Sequence, residues 1–418
     1  MRASIALQRY LQRHIEAGLP HHSFTAQQWH HVLVIPCYRE APTLLQKLAA
    51  LPAGDGRTLV ILVLNRPDSD SDTQANTELR SALQGPQLRC EERGAVPVQC
   101  LNAHTDLYLH DMESLRGPTP AARGVGLARK TGCDLALQWM VAGGFSSQWL
   151  CSTDADALLP SDYFEQLDGA APDAVAAVFP FRHVPGGDQA CDTATALYEL
   201  RLHHYARGLE YAGSPYAFHT LGSCLAIRVE AYAQVRGYPK RSGAEDFYLL
   251  NKVAKLGPVA RLHGDCIQLQ SRHSTRVPFG TGPAVAAILA TSEPQAATIF
   301  YHPQCFVALK VLLESLPELV HRPDQDIAPL LIRHGLDESL ATQAQLALTA
   351  QGITAALAHC QRQSTTSEQF QRQFHQWFDA FRTLKFIHAL RDACWPQQSL
   401  AQLDALQPRL LPSIVKAS

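Results

Sequence analysis

The residues with the most defined chemistry lie in Trp149-Leu150-Cys151-Ser152-Thr153-Asp154-Ala155-Asp156. Two carboxylates separated by one residue follow a short apolar run that suits a buried strand. Open α/β sheets hold ligands outside the carboxyl ends of their strands, so the pair falls where a ligand would sit. A hard divalent cation, Mn²⁺ or Mg²⁺, takes carboxylate and phosphate oxygens together. Asp154 and Asp156 therefore read as a metal clamp for a diphosphate. D-x-D is also a turn or cap pattern, and Pro160-Ser161-Asp162 just beyond it resembles a helix start.

Three other clusters stand in order around this pair. Val32-Leu33-Val34-Ile35 is an apolar run that breaks at Pro36 into Cys37-Tyr38-Arg39-Glu40. No G-x-G-x-x-G follows it, which argues against a dinucleotide-binding oxidoreductase, and Gly124-Val125-Gly126 reads as helix punctuation. Next, Gly126-Leu127-Ala128-Arg129-Lys130 places two cations on a helix shortly before the D-x-D strand. Finally Gly243-Ala244-Glu245-Asp246 opens a helix with an acidic pair. Carboxylates favour helix N-termini on electrostatic grounds alone, so a capping role for Glu245 or Asp246 stays open. The polar, cation-rich stretch Ser271-Arg272-His273-Ser274-Thr275-Arg276 ahead of Gly280 suits a loop over a diphosphate, with Arg272 and Arg276 as phosphate contacts.

The elements that must position these groups are legible as texture. Apolar runs at 32–35, 59–64, 149–152 and 174–179 alternate with helical patterns near 41–51, 73–84, 121–143 and 243–256. That order predicts an α/β fold with a mostly parallel central sheet. Past about residue 290 the strand-like runs stop. Phe370, Phe374, Trp377, Phe378, Phe381, Leu384 and Ile387 mark one aromatic helical face there, which predicts an all-helical C-terminal region. The expected division is an N-terminal helix over 1–24, a catalytic domain over 25–290 and a helical region over 291–418.

Composition narrows the class further. The 418 residues are 46% hydrophobic and 18% charged, with a formal net charge of -2. This near-neutral balance argues against nucleic acid as a partner. The eleven scattered cysteines include no C-x-x-C pair, which suits reduced thiols in the cytoplasm. The N-terminal residues show no secretory pattern, and no apolar run has the ~18 residues needed to cross a bilayer. Any membrane contact is expected to be peripheral.

Taken in order, these motifs resemble the family 2 glycosyltransferases, inverting enzymes of GT-A fold. The likeness spans roughly residues 30–285 and rests on Pro36-x-Tyr38-x-Glu40, Ala128-Arg129, Asp154-x-Asp156 and Glu245-Asp246. It implies a sugar moved from a nucleotide-sugar donor to a hydroxyl-bearing acceptor, with a divalent cation, Mn²⁺ or Mg²⁺, as cofactor. Asp156 would bind the metal, and Asp154 would contact ribose or the metal shell. Pro36, Tyr38, Glu40 and Asn65 would lie beside the nucleotide, and Arg129 or Lys130 would face it. His273 would complete the metal shell, with His263 in reserve. Asp246, with Glu245 beside it, would take the acceptor proton. Thr220 and Gly222 would border the acceptor.

Two departures shape the reading. Asn65 stands where members that use UDP donors often carry an acid, so the donor base stays open. The 271–282 stretch replaces the Q-x-x-R-W signature of processive synthases, which argues for a non-processive transfer. A retaining GT-A transferase with the same D-x-D, or a binding scaffold without turnover, are the competing readings.

Overall fold

The apolar runs meet as the centre of one nine-stranded sheet. The structure is a computed structural model describing residues 4–85, 88–274, 280–291, 293–320 and 326–410. Its strands are β1 (His31–Cys37), β2 (Thr58–Leu64), β3 (Arg89–Arg93), β4 (Val96–Cys100), β5 (Thr105–Asp111), β6 (Trp149–Ser152), β7 (Ala176–Val178), β8 (Phe181–Val184), β9 (Leu225–Arg228), β10 (Val259–Arg261) and β11 (Ile267–Gln270). The sheet order is β10-β7-β9-β6-β1-β2-β5-β4-β3, and β8 pairs with β11 in a separate ribbon. The β6-β1-β2-β5 centre is parallel throughout. Only β9 and β4 run against the rest, so the sheet is mostly parallel. Its central strands are buried on both faces, as continuous Val, Ile and Leu runs require.

The chain runs from β1 to β2 and β5 on one side, then crosses back to β6 on the other. The order therefore reverses between β1 and β6, which is where an open α/β sheet holds its ligand, in the crevice beyond the carboxyl ends of the strands. The sequence suggested that the first strand breaks at Pro36, yet β1 continues through Cys37. The reason is one-sided pairing. Thr153 donates its amide to the Val34 carbonyl (3.1 Å) and Asn65 to that of Cys37 (3.0 Å), so alternate residues face β6 and β2. Pro36 shares the parity of Val34, and the missing N–H points past the end of β6, where no ladder bond is lost.

Contact clustering divides the chain into two units. One comprises 1–187 with 220–283, and the other 188–219 with 284–418. Residues 188–219 carry a helix, Gln189–Tyr211, that belongs with the C-terminal helices, so the span expected over 25–290 is interrupted. In the second unit the aromatic periodicity belongs to two helices rather than one. Ser367–Trp377 ends at Phe378, and Ala380–Ala393 starts at Asp379, whose carboxylate accepts from the Arg382 amide (3.1 Å). Phe370, Phe374, Phe378, Phe386 and Ile387 are all buried in that unit's core, so the stripe is internal packing. Among the described residues no helix is long and apolar enough to cross a membrane.

In the first unit, the Gly124–Val141 helix packs on β1 and β2. Gly126 there is a docking point rather than punctuation. Its amide donates to the Arg241 carbonyl (2.9 Å), and a Cβ would lie 2.5 Å from the Pro239 oxygen and 2.7 Å from the Arg241 nitrogen. The close approach fixes the segment that leads into Glu245 and Asp246. Alanine normally stabilises a helix over glycine by ~1 kcal/mol. At Gly126 the overlap should reverse the sign, and denaturant titration of Gly126→Ala should show a loss of about 1–3 kcal/mol. An unchanged or raised midpoint would remove this docking argument.

Candidate active site

Three chain segments end at the crevice, each delivered by a different element. β6 delivers Asp154 and Asp156 just past Ser152. β9 runs antiparallel to β6, with Leu225 opposite Ser152, so the residues before β9 arrive beside the D-x-D turn. These are Gly222 and Ser223. The Glu245–Val253 helix opens toward the same place, preceded by Ala244 in a left-handed conformation (φ 57°). A non-glycine residue there costs on the order of 1 kcal/mol, and such strain recurs where functional groups must be aimed.

Arg129 ties these segments together. Its guanidinium is only 3% exposed and donates through Nε to Glu245 Oε1 (2.9 Å) and through Nη1 to Ser152 Oγ (2.7 Å). Nη1 also reaches the Thr153 carbonyl (3.4 Å), and Nη2 pairs with Asp154 Oδ1. Burial pulls the Arg129 pKa down, but Asp154 and Glu245 outweigh it and hold the charge firmly. The second Asp154 oxygen accepts from the Ser223 hydroxyl, while Thr153 Oγ1 donates to the Ser223 carbonyl (2.9 Å). Asp154 is thus held by protein donors on both oxygens.

Asp156 differs in pairing with Arg272, whose Nη2 lies 2.6 Å from Oδ2. Desolvation and the charge of Asp154 raise its pKa, Arg272 opposes the rise, and Glu40 adds to it. β11 accounts for Arg272. Leu158 exchanges backbone bonds with Gln268 (2.9 Å each way), which lays the strand beside the D-x-D turn and leaves Arg272 two residues past its end.

The acidic pair divides in the same way. Glu245 is buried against Arg129, and desolvation raises its pKa against the pull of that cation. Asp246 is partly exposed, and Oδ1 accepts from the adjacent Phe247 amide (2.7 Å). Desolvation first, then the charge of Glu245, push it up to about 7. A carboxylate tuned to that value can exchange a proton near neutrality. Gly222 fits closely beside it. A Cβ would stand 2.7 Å from Arg129 Nη2 and 3.3 Å from Asp246 Oδ2.

At the neighbouring end of β1, Tyr38 and Arg39 both bond to Asp70, with Arg39 at 3.0 and 2.9 Å. Asn76 accepts from the Arg39 amide (3.0 Å) and donates to the carbonyl of buried Asn65 (3.0 Å). Tyr38 and Asn65 are thus tied together through Arg39, Asp70 and Asn76, Pro36 stands opposite Val63 in the β1-β2 pair, and Glu40 lies near enough to Asp156 to raise its pKa. Sequence reasoning missed Ser152, Ser223, Asp70 and Asn76 because single polar side chains carry no spacing signal.

Lys130 leaves this group. One residue along the helix from Arg129, its Nζ points elsewhere, to Asp134 (2.7 Å), Tyr10 Oη (2.6 Å) and the His14 carbonyl (2.9 Å). A helix turns ~100° per residue, so adjacent cations serve different surroundings. Thr220 is half-buried two residues before Gly222, His273 is exposed beyond Arg272, and Arg276 lies outside the described residues. Among the described residues no three His, Cys, Asp or Glu side chains gather as a metal site, so Asp154, Asp156 and His273 do not form a closed shell. What fits a hard cation is the surplus of acid. Asp154 and Glu245 pair with Arg129 and Asp156 with Arg272, while Glu40 and Asp246 add further negative charge beside them, and hard cations such as Mg²⁺ commonly use one or two carboxylates plus substrate phosphates.

No family model and no curated protein matches the chain. Solved structures similar to it include S. aureus TarS 1-349 in complex with UDP-GlcNAc, at 12% identity and TM-score 0.38, covering 84% of this chain and 91% of that one. Another is the mannosyltransferase PcManGT from Pyrobaculum calidifontis with GDP-Man and Mn²⁺, at 18% identity and TM-score 0.37, covering 93% and 95%. The bifunctional glycosyltransferase WbbM matches at 10% identity and TM-score 0.30, covering 59% and 40%. At these scores the likenesses assign no residue and no reaction.

If Arg129 holds the crevice together, Arg129→Met leaves Asp154 and Glu245 unpaired. Losing one partner of a buried pair costs about 3–5 kcal/mol, a fall in Tm on the order of 10 °C. In calorimetric melting, Arg129→Met with Glu245→Gln should lose less than the two single losses added together. Strict additivity would show that the pair is not coupled.

Proposed function

We propose that the chain is a metal-assisted glycosyltransferase of the GT-A type that moves a sugar from a nucleotide-sugar donor to a hydroxyl acceptor with inversion. The observation that carries this reading is the convergence of Asp154 and Glu245 on Arg129, with Asp156 two residues from the one and Asp246, pushed up to about 7 by burial and the charge of Glu245, next to the other. Asp156, with Asp154 beside it, would hold the divalent cation, which when bound neutralises charge on the departing diphosphate. Arg272, side chain 36% exposed at the crevice, can add a cation to that diphosphate. Tyr38, Glu40, Pro36 and Asn65 would flank the nucleotide.

Asp246 would accept the proton of the acceptor hydroxyl as its oxygen bonds to the anomeric carbon. The bond from that carbon to the diphosphate breaks, and the nucleoside diphosphate leaves with the electron pair. A single displacement inverts the anomeric centre. Glu245, fixed on Arg129, holds its charge beside Asp246 and so helps set the basicity of that carboxylate. Gly222 would leave room for the acceptor next to it. A reduced, cytoplasmic setting fits the eleven free thiols.

Calorimetric titration with UDP, GDP, CDP, CMP and dTDP, each with Mn²⁺ and with EDTA, tests the donor side. One nucleotide should bind with metal and lose affinity with EDTA, and Asp156→Ala should abolish that difference. If none binds, the transferase reading falls and a scaffold takes its place.

Asp246→Asn should lower transfer by ~10²–10⁴-fold while donor binding persists. The base acts when deprotonated, so wild-type kcat/KM should fall tenfold per pH unit as pH drops below about 7. A flat profile from pH 5 to 8, or full activity of the variant, removes Asp246 from the role.

A further inference from the structure

The first unit carries a second polar cavity, of about 510 Å³, that contains none of the crevice residues. Its wall comes from the end of the Ile5–Arg13 helix, from the Gly124–Val141 helix through Lys130, from residues 236–240, and from Lys252. Arg13, His14, Lys130, Arg236, Lys240 and Lys252 all line it, against one carboxylate, Glu16. Two of these cations are matched. Lys130 lies 2.7 Å from Asp134, and Lys240 lies 2.6 Å from Glu16. Arg13, Arg236 and Lys252 have no carboxylate partner among the described residues.

Three cations without a carboxylate partner gather around one concavity. Their charge registers on the groups beside them. Burial, then Arg236, Lys130 and Arg13, hold the His14 pKa below its usual value, and burial, then Arg236, Arg241 and Lys255, do the same for Lys252. The backbone contributes as well. Arg236 sits in the left-handed region (φ 67°), where glycine is the inexpensive residue, with Gly237 beside it (φ 71°). A long cation is therefore held at a position that its backbone disfavours. Volumes of roughly 300–1,000 Å³ suit small ligands, so there is room for a phosphate and the group it esterifies.

We propose that this cavity is an anion site for a phosphorylated ligand, a phosphate monoester or diphosphate, gripped by Arg13, Arg236 and Lys252. Lys130 forms part of its wall, and Tyr238, which follows Gly237, lines it as well. The phosphate belongs either to a soluble metabolite or to a lipid headgroup, and the experiment separates the two.

The full chain in EDTA is titrated with inorganic pyrophosphate by calorimetry, and in parallel sedimented with phosphatidylglycerol or phosphatidylcholine vesicles. Pyrophosphate should bind, and Arg236→Ala with Lys252→Ala should weaken it at least tenfold. Both side chains are exposed, so Tm should not move. Asp156→Ala should leave this binding intact, which separates the site from the donor clamp. Binding of pyrophosphate assigns a soluble ligand. Retention on phosphatidylglycerol vesicles alone, lost in the double variant, assigns a headgroup. Absence of both, or a pyrophosphate affinity unchanged in the double variant or lost in Asp156→Ala, overturns the site.

Discussion

The crevice depends on one desolvated cation. Arg129 is taken out of water at a cost that only close, well-directed partners can offset. Those partners come from β6, from the turn after it and from the start of the Glu245–Val253 helix, segments far apart in sequence. Displacing any one of them leaves a buried charge or donor unmet. The demand for satisfaction is therefore a geometric demand, and it aligns the carboxylates that chemistry would use. Stability and arrangement of the site are the same constraint at this position.

The sheet makes that convergence possible. A purely parallel sheet would send each strand end to the crevice once and return its chain through a helix at the far side. β9 runs the other way and delivers Gly222 and Ser223 to the crevice as it begins. The Ser223 hydroxyl then occupies the Asp154 oxygen that Arg129 leaves open. Asp154 is held on both oxygens, whereas Asp156 pairs with Arg272. The two acids of D-x-D differ in what surrounds them, and the motif by itself does not distinguish them.

This explains which features were legible in the sequence. Buried strands announce themselves through runs such as Leu59–Leu64, because burial on both faces demands continuous apolar residues. The edge strand β3 and its neighbour β4 were missed because Arg89–Arg93 and Val96–Cys100 are short and partly exposed, without such runs. Motifs of charged residues at strand ends were found, since their types imply chemistry. Lys130 was misassigned because adjacency in sequence is not adjacency on a helix surface. The Gln189–Tyr211 helix was lost inside the span given to one domain, because its tie to Phe306 and the C-terminal helices is long-range. Gly126 was read locally, while its role comes from residues 239–241 on a different segment.

Arg129 and Lys130 also show how one helix partitions charge. Arg129 pairs with Asp154 and Glu245, and Lys130 lines a cavity rich in cations, with both guanidinium and ammonium buried. Asp134, one turn beyond, compensates Lys130 and accepts from the hydroxyls of Tyr10 and Tyr232. Burial raises the Asp134 pKa, and the cation opposes the rise. That network closes on itself and leaves nothing for a ligand, whereas the crevice keeps Asp156 and Asp246 incompletely satisfied. Polar groups left partly unsatisfied at a concave surface are the ones whose free energy a ligand can still lower. By that criterion the acidic crevice should take cations and the groups they bridge, and the basic cavity should take anions. The first follows from the acids gathered beside Arg129 and Arg272, the second from exposed cations that the fold leaves without a carboxylate partner among the described residues.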